Sequence, residues 1–117
     1  MNKCYKVVST KSGKMQSTIS NRYYAAISYK INEVAKPWLG KIFVFKTLRY
    51  AKRFKPLDCI ILECECGPLE PIIRASAFIH DIVYFWDKNN VFTGTLMRVP
   101  HGSQVTEWVK PIKILDR

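Results

Sequence analysis

Apolar and polar positions alternate along much of this chain, and the expected elements follow from where that alternation starts and stops. Tyr5-Lys6-Val7-Val8-Ser9 reads as a first strand with Val7 and Tyr5 turned inward. Ser12-Gly13 then reads as a turn, and Lys14 to Ser20 as the return strand of a hairpin. Residues 22–34 fit two periods. Tyr24, Ile27 and Ile31 stand at helical spacing, whereas Tyr29, Ile31 and Glu33 alternate with Lys30 and Asn32; a short helix or turn followed by a strand is expected. Pro37 and Gly40 punctuate a loop around Trp38, and Ile42-Phe43-Val44-Phe45 is a strand of β-branched and aromatic residues. Thr47 is placed to cap a helix over 47–55, with Leu48, Ala51 and Phe54 toward the core and Pro56 ending it.

Leu57 to Cys66 is a further strand, closed by Gly67-Pro68. Residues 72–86 place Phe78, Ile79, Ile82, Val83 and Trp86 at helical spacing, yet the stretch is rich in strand formers. Asn89-Asn90 reads as a turn, and 91–99 and 105–115 as strand-like segments. The sum predicts an α+β fold: a mostly antiparallel twisted sheet, one short helix at about 47–55, and a candidate second helix within 72–86. A chain of 117 residues is one domain, 1–117, large enough for a core without disulfide or metal support.

Composition narrows the class. At 48% hydrophobic and 24% charged, the chain is neither a disordered polyampholyte nor a collagen-like or glycine-rich linker sequence. No apolar run approaches the ~18 residues of a membrane span. The opening residues run directly into strand-like sequence without a signal-peptide pattern, so a cytoplasmic protein that engages no membrane is expected. Charge is the most informative feature. Residues 1–56 hold 13 of the 19 Lys and Arg against one acid, Glu33, a net of +12; residues 57–117 hold 6 against 8 acids, a net of −2. A half-chain so basic attracts polyanions, which bears on partners and not on fold.

Part of the chain carries a resemblance. Tyr29-Lys30-Ile31-Asn32-Glu33, Pro37, Gly40 through Leu48, Ala51, Phe54 and Ile61-Leu62-Glu63-Cys64-Glu65 resemble a pattern in small bacteriophage accessory proteins of unassigned function. Pro100-His101-Gly102-Ser103 and Val109-Lys110-Pro111 are similar to how such proteins end. The match covers residues 29–65 and 100–111, about half the chain. It implies a phage accessory product acting on host machinery in the cytoplasm of the host cell, an anti-defence factor included, and it transfers no catalytic residue.

Several constellations bear on chemistry. Cys59, Cys64 and Cys66 lie on one strand and Cys4 stands alone, with no C-x-x-C to grip a metal. Ile60, Leu62, Cys64 and Cys66 share one face of that strand and Cys59, Ile61, Glu63 and Glu65 the other. The thiols therefore read as reduced core residues; a zinc site from Cys4, Cys64 and Cys66 is the minor alternative. No metal or cofactor is implied. Glu63 and Glu65 lie on one strand face about 7 Å apart. Glu63-x-Glu65 resembles the acidic motif of ADP-ribosyltransferases, and Ser17-Thr18 is similar to their serine–threonine–serine strand, which would make Glu65 the catalytic glutamate. That family also uses an Arg on an early strand, and here Arg22 is the first Arg in the chain. The ordinary reading is a pair of solvent-facing acids. His80 and His101 lack a nucleophile at motif spacing, and Lys11-Ser12-Gly13-Lys14 is not a phosphate-binding loop.

The basic helix is the stronger lead. Arg49, Lys52 and Arg53 fall at i, i+3 and i+4, placing three cations on one face, with Lys46 and Lys55 at its ends. Arg22 joins them as a further anion-binding candidate, and Lys11, Lys14, Lys30, Lys36 and Lys41 could extend the same field. Tyr50 and Trp38 are the aromatics expected to be exposed, as stacking or interface residues. The function expected is a small non-enzymatic binding protein whose basic half engages nucleic acid or a nucleotide. The alternative is inhibition of a host defence or replication protein through an acidic protein face. A transferase-like domain using Glu63 and Glu65 is third.

Overall fold

The computed structural model describes residues 2–11, 13–17, 27–37, 40–76, 85–87 and 92–116. Its centre is β1 (Asn2–Ser9), which pairs antiparallel along its whole length with β5 (Cys59–Cys66), from Asn2 against Cys66 to Ser9 against Cys59. On the far side of β5 runs β10 (Val109–Asp116), and on the other flank of β1 lie β4 (Ile42–Phe45), β9 (Ser103–Thr106) and β6 (Glu70–Pro71). Every pairing is antiparallel. A separate two-stranded ribbon joins β7 (Arg74–Ser76) to β8 (Leu96–Arg98). Within the described residues the fold is thus a mostly antiparallel sheet with one short helix, α1 (Leu48–Phe54).

The expected hairpin is present. β2 (Met15–Ser17) returns along the late half of β1, with Val8 opposite Ser17, and β3 (Ser28–Tyr29) pairs with β2. β1 begins three residues earlier than its apolar pattern suggested because Asn2, Lys3 and Cys4 complete the ladder with β5. The sheet forks at β1. Its early half pairs with β4 at Tyr5 opposite Phe45, and its late half pairs with β2 instead.

The branch through β2 and β3 comes back to the opposite edge. After Tyr29 the chain turns at Asn32, which adopts a φ of 66°. Asn32 N–H then donates to Pro111 O, and Ala35 and Val109 exchange backbone hydrogen bonds. β3 runs on directly into residues 32–35, so these hydrogen bonds and that stretch of chain together close a ring: β1, β5, β10, residues 32–35, β3, β2 and β1 again. Pro111 is tolerated because β10 lacks a full strand on its outer side, and the register shifts just beyond it.

Both faces of the central strands are buried, and by different material. The even positions of β1 and β5 (Cys4, Val8, Leu62, Cys64, Cys66) join Tyr29, Ile42, Val44 and Val109 in the core inside the ring. The odd positions Val7, Cys59 and Ile61 join Phe45 and Ala51 beneath α1. This is the face division expected for β5. α1 forms as its sequence directs: Thr47 is extended (φ −124°, ψ 149°), and its Oγ1 accepts from Tyr50 N–H at 3.4 Å. At the other end Pro56 pushes Lys55 out of helical geometry, to ψ 116°, after Lys55 N–H has bonded Ala51 O.

Other expectations change. Within 72–86, residues 74–76 are strand, paired with Leu96–Arg98 of β8, and 85–86 are helical. The rest of the candidate second helix, 77–84, lies outside the described residues. The single segment expected at 105–115 is two strands, broken at Glu107-Trp108, since β9 pairs with β4 and β10 with β5. β5 begins at Cys59, because Pro56 to Asp58 form a turn closed by Cys59 N–H to Pro56 O. The helix-or-turn expected before Tyr29, the end of the return strand and the turn at Asn89-Asn90 fall outside the described residues.

Candidate anion-binding face

α1 lies across the odd face of the sheet and turns Ala51 fully inward, with Leu48, Tyr50 and Phe54 packed at the margins of the contact. Helical geometry then sends Arg49, Lys52 and Arg53 outward, Lys46 stands just before the Thr47 cap, and all four are exposed. None of them makes an ion pair within the described residues, and the first helical turn holds no acid. Lys52 and Arg53 also sit in the last turn, where cations favour the helix dipole. Lys55 is different: its Nζ donates to Cys59 O at 3.2 Å, so it ties the helix to β5.

Beyond the end of α1 the same sheet face continues uncovered. Lys3, Glu63, Glu65, Lys110 and Lys113 stand on it, from three adjacent strands. Glu63 is only 17% exposed. Its carboxylate lies between Lys3 Nζ at 3.4 Å and Lys113 Nζ at 3.8 Å, so it is a bridged acid and not the solvent-facing one expected. Glu65 is opposite Lys3 on one side and Lys110 on the other. Cross-strand pairing of opposite charges accounts for Glu63; Glu65 shares that register but forms no ion pair among the described residues.

Of the expected aromatics, Tyr50 is corrected. It is half-buried, its ring 5.2 Å from that of His101 in an edge-on contact, and the turn at Gly102 lies directly over it. Gly102 has a φ of 83°, and a Cβ there would enter the Tyr50 ring. The Pro100–Ser103 stretch is therefore a clasp on α1, and Tyr50 is held for packing. Arg22, Trp38 and His80 lie outside the described residues. Lys11 is 3.7 Å from Asp58 and Lys41 is 2.6 Å from Glu70, so these two are paired and do not add to the unpaired field of α1.

Comparisons with family models, with curated proteins and with solved structures find no match. The site is therefore read from its own residues. Cys4, Cys64 and Cys66 do pack together inside the ring, the three thiols weighed as a zinc set. Hydrogen bonding to Cys64 and burial push the Cys4 thiol well up, and burial raises Cys66, which favours thiols over thiolate ligands. Among the described residues no group of three or more such side chains is placed to hold a metal ion. No helix among them is long and apolar enough to cross a membrane.

One residue was missed. Lys6 is 8% exposed, on the inner face between Cys4 and Val8. Its Nζ donates to Phe43 O at 2.7 Å and lies 5.9 Å from the centre of the Tyr29 ring. Burial lowers its pKa to about 8. A signal was present: Val7 and Val8 are consecutive apolar residues, so both faces of this strand are covered, and Lys6 shares the face of Val8.

Proposed function

We propose that this is a non-enzymatic binding protein, a phage accessory factor acting in the host cytoplasm, whose α1 face engages nucleic acid. The observation that carries this reading is a set of four exposed cations, Arg49, Lys52 and Arg53 on one short helix and Lys46 just before its cap, with no acid paired to any of them among the described residues. Cations without acids in reach keep their full attraction for a polyanion, and each phosphate they neutralise releases counterions. Lys3, Lys110 and Lys113 extend the positive face along the sheet, offset by Glu63 and Glu65. Tyr50 is packed under Gly102 and is not offered for stacking, so the contact of α1 itself runs through its cations to phosphates, which supports sequence-tolerant binding.

Fluorescence anisotropy with single-stranded RNA, single-stranded DNA and duplex DNA, from about 50 to 300 mM salt, tests the reading. Micromolar binding that weakens with salt, and falls about 100-fold or more in Arg49→Glu/Arg53→Glu, is expected. No binding to any of the three at the lowest salt would overturn it and leave an acidic protein face as the partner.

A further inference from the structure

Where β1 and β4 part company the fork holds a partly open cavity of about 250 Å3. Its walls are mainly apolar, with Phe43, Phe45, Phe85, Trp86 and Met97 among them. Trp86 is fixed there: its ring lies 5.8 Å from Phe43 and 4.9 Å from Phe85, and it occupies the space a side chain at Gly40 would need. Polar side chains are few among its walls. Lys6 lines the cavity together with Tyr29 and Ser17, whose hydroxyls are 3.5 Å apart.

Lys6 is the unexplained feature. An ammonium has three protons to donate, and among the described residues Nζ uses one, on Phe43 O. No carboxylate pairs with it among those residues. Lys41, also on the wall, is already matched by Glu70, so the uncompensated charge belongs to Lys6. A buried charge without a partner is costly, and an apolar chamber beside it offers the volume in which a partner could sit. A cavity of ~150 Å3 holds benzene, so this one admits a ring or short chain with a compact acidic head.

We propose that the cavity binds a small monocarboxylate with an apolar ring or short chain, its carboxylate paired with Lys6 and its apolar part against Phe43 and Trp86. The Tyr29 and Ser17 hydroxyls also line the cavity as further polar groups for the head, and the aromatic walls cover the tail. This site faces the inside of the fork, apart from the α1 cations, and does not depend on the nucleic-acid reading.

Amide NMR titration of the full chain with 3-phenylpropanoate, 3-phenylpropan-1-ol and 3-phenylpropylamine separates charge recognition from apolar filling. The acid should bind about tenfold or more tighter than the alcohol, and the amine weakest, with shifts at Lys6, Tyr29 and Phe43. In Lys6→Met the acid should lose that advantage while the alcohol still binds. Equal affinity for acid and alcohol in the native chain would overturn the proposal. So would acid-induced shifts confined to α1, an advantage that survives Lys6→Met, or no shift at cavity residues with any probe at millimolar concentration. The native-chain comparison stands by itself if the substitution disturbs folding.

Discussion

The two faces of the central sheet hold their cations in opposite ways. On the α1 face Arg49, Lys52 and Arg53, with Lys46 just before the cap, stand in water, and the helix buries only Ala51 completely. On the inner face Lys6 is buried beside Tyr29, Val44 and Phe43, and among the described residues its ammonium makes one hydrogen bond, to a carbonyl. Exposed cations cost the fold little and act at range on a polyanion, with strong screening by salt. A buried cation costs stability, acts only at contact, and is barely screened. The net charge of +10 counts both kinds alike and cannot tell them apart.

The sharpest way to break the comparison is to ask whether both faces are truly core. Ile61 and Leu62 are neighbours on β5, both completely buried, one under α1 and the other inside the ring. Ile61→Ala and Leu62→Ala should each cost about 2–5 kcal/mol in denaturant unfolding. A loss of under about 1 kcal/mol at Ile61 with a full loss at Leu62 would mean that α1 is not seated on the sheet, and its cations would then lack a fixed geometry.

Lys6→Met comes next, and its sign is the informative part. The lysine pKa is about 8 in the folded chain against ~10.4 when unfolded, so between those values the unfolded chain binds more protons. Stability from this group therefore rises as pH climbs from about 8 to about 10.4, and the penalty is complete below pH 8. Replacing Lys6 by an apolar residue of similar length should raise stability by about 1–3 kcal/mol at pH 7. The gap between the two chains should close as the pH is taken to 10. Parallel pH profiles would show that Lys6 is not desolvated. Destabilisation at pH 7 would show that its bond to Phe43 O outweighs the burial cost.

What the sequence revealed, and what it hid, follows the same division. The Thr47 cap, the Pro56 stop and the outward set of Arg49, Lys52 and Arg53 are local, set by residues within a turn of each other, and were legible. So was the assignment of β5 residues to two faces, because a strand alternates strictly. The ring closure was not. It depends on Asn32 and Ala35 meeting Pro111 and Val109, some 75 residues away, and no local pattern encodes that meeting. The break between β9 and β10 is hidden for a similar reason: Val105 and Val109 look continuous until their partners, Phe43 and Cys66, prove to lie on different strands. Tyr50 looked exposed because nothing within the helix shows that the Gly102 turn will cover it.

Thr47→Ala probes the geometry of the exposed set more gently. The capping contact is long, at 3.4 Å, so a loss of about 0.5–1 kcal/mol is expected in denaturant unfolding. Nucleic-acid affinity should change by less than about threefold, since Arg49, Lys52 and Arg53 remain on a helix pinned by Ala51. A larger fall in affinity than in stability would show that the first turn, and Lys46 beside it, carries more of the contact than the last.

The smallest expected effect separates a binding face from a catalytic one. Glu63 is bridged by Lys3 and Lys113, but those lysines are 63% and 61% exposed, so the pairs are of the kind worth no more than about 1 kcal/mol. Glu63→Gln and Glu65→Gln keep the side-chain shape and should each shift the unfolding midpoint only slightly. On a face that attracts phosphate, removing an acid releases Lys3, Lys110 and Lys113 for the polyanion, so affinity should hold or rise by about twofold at low salt. A fall in affinity from either substitution would mean that the glutamates orient the face they share with α1. The pair would then belong to the site itself, and the lysines flanking it would be structural partners.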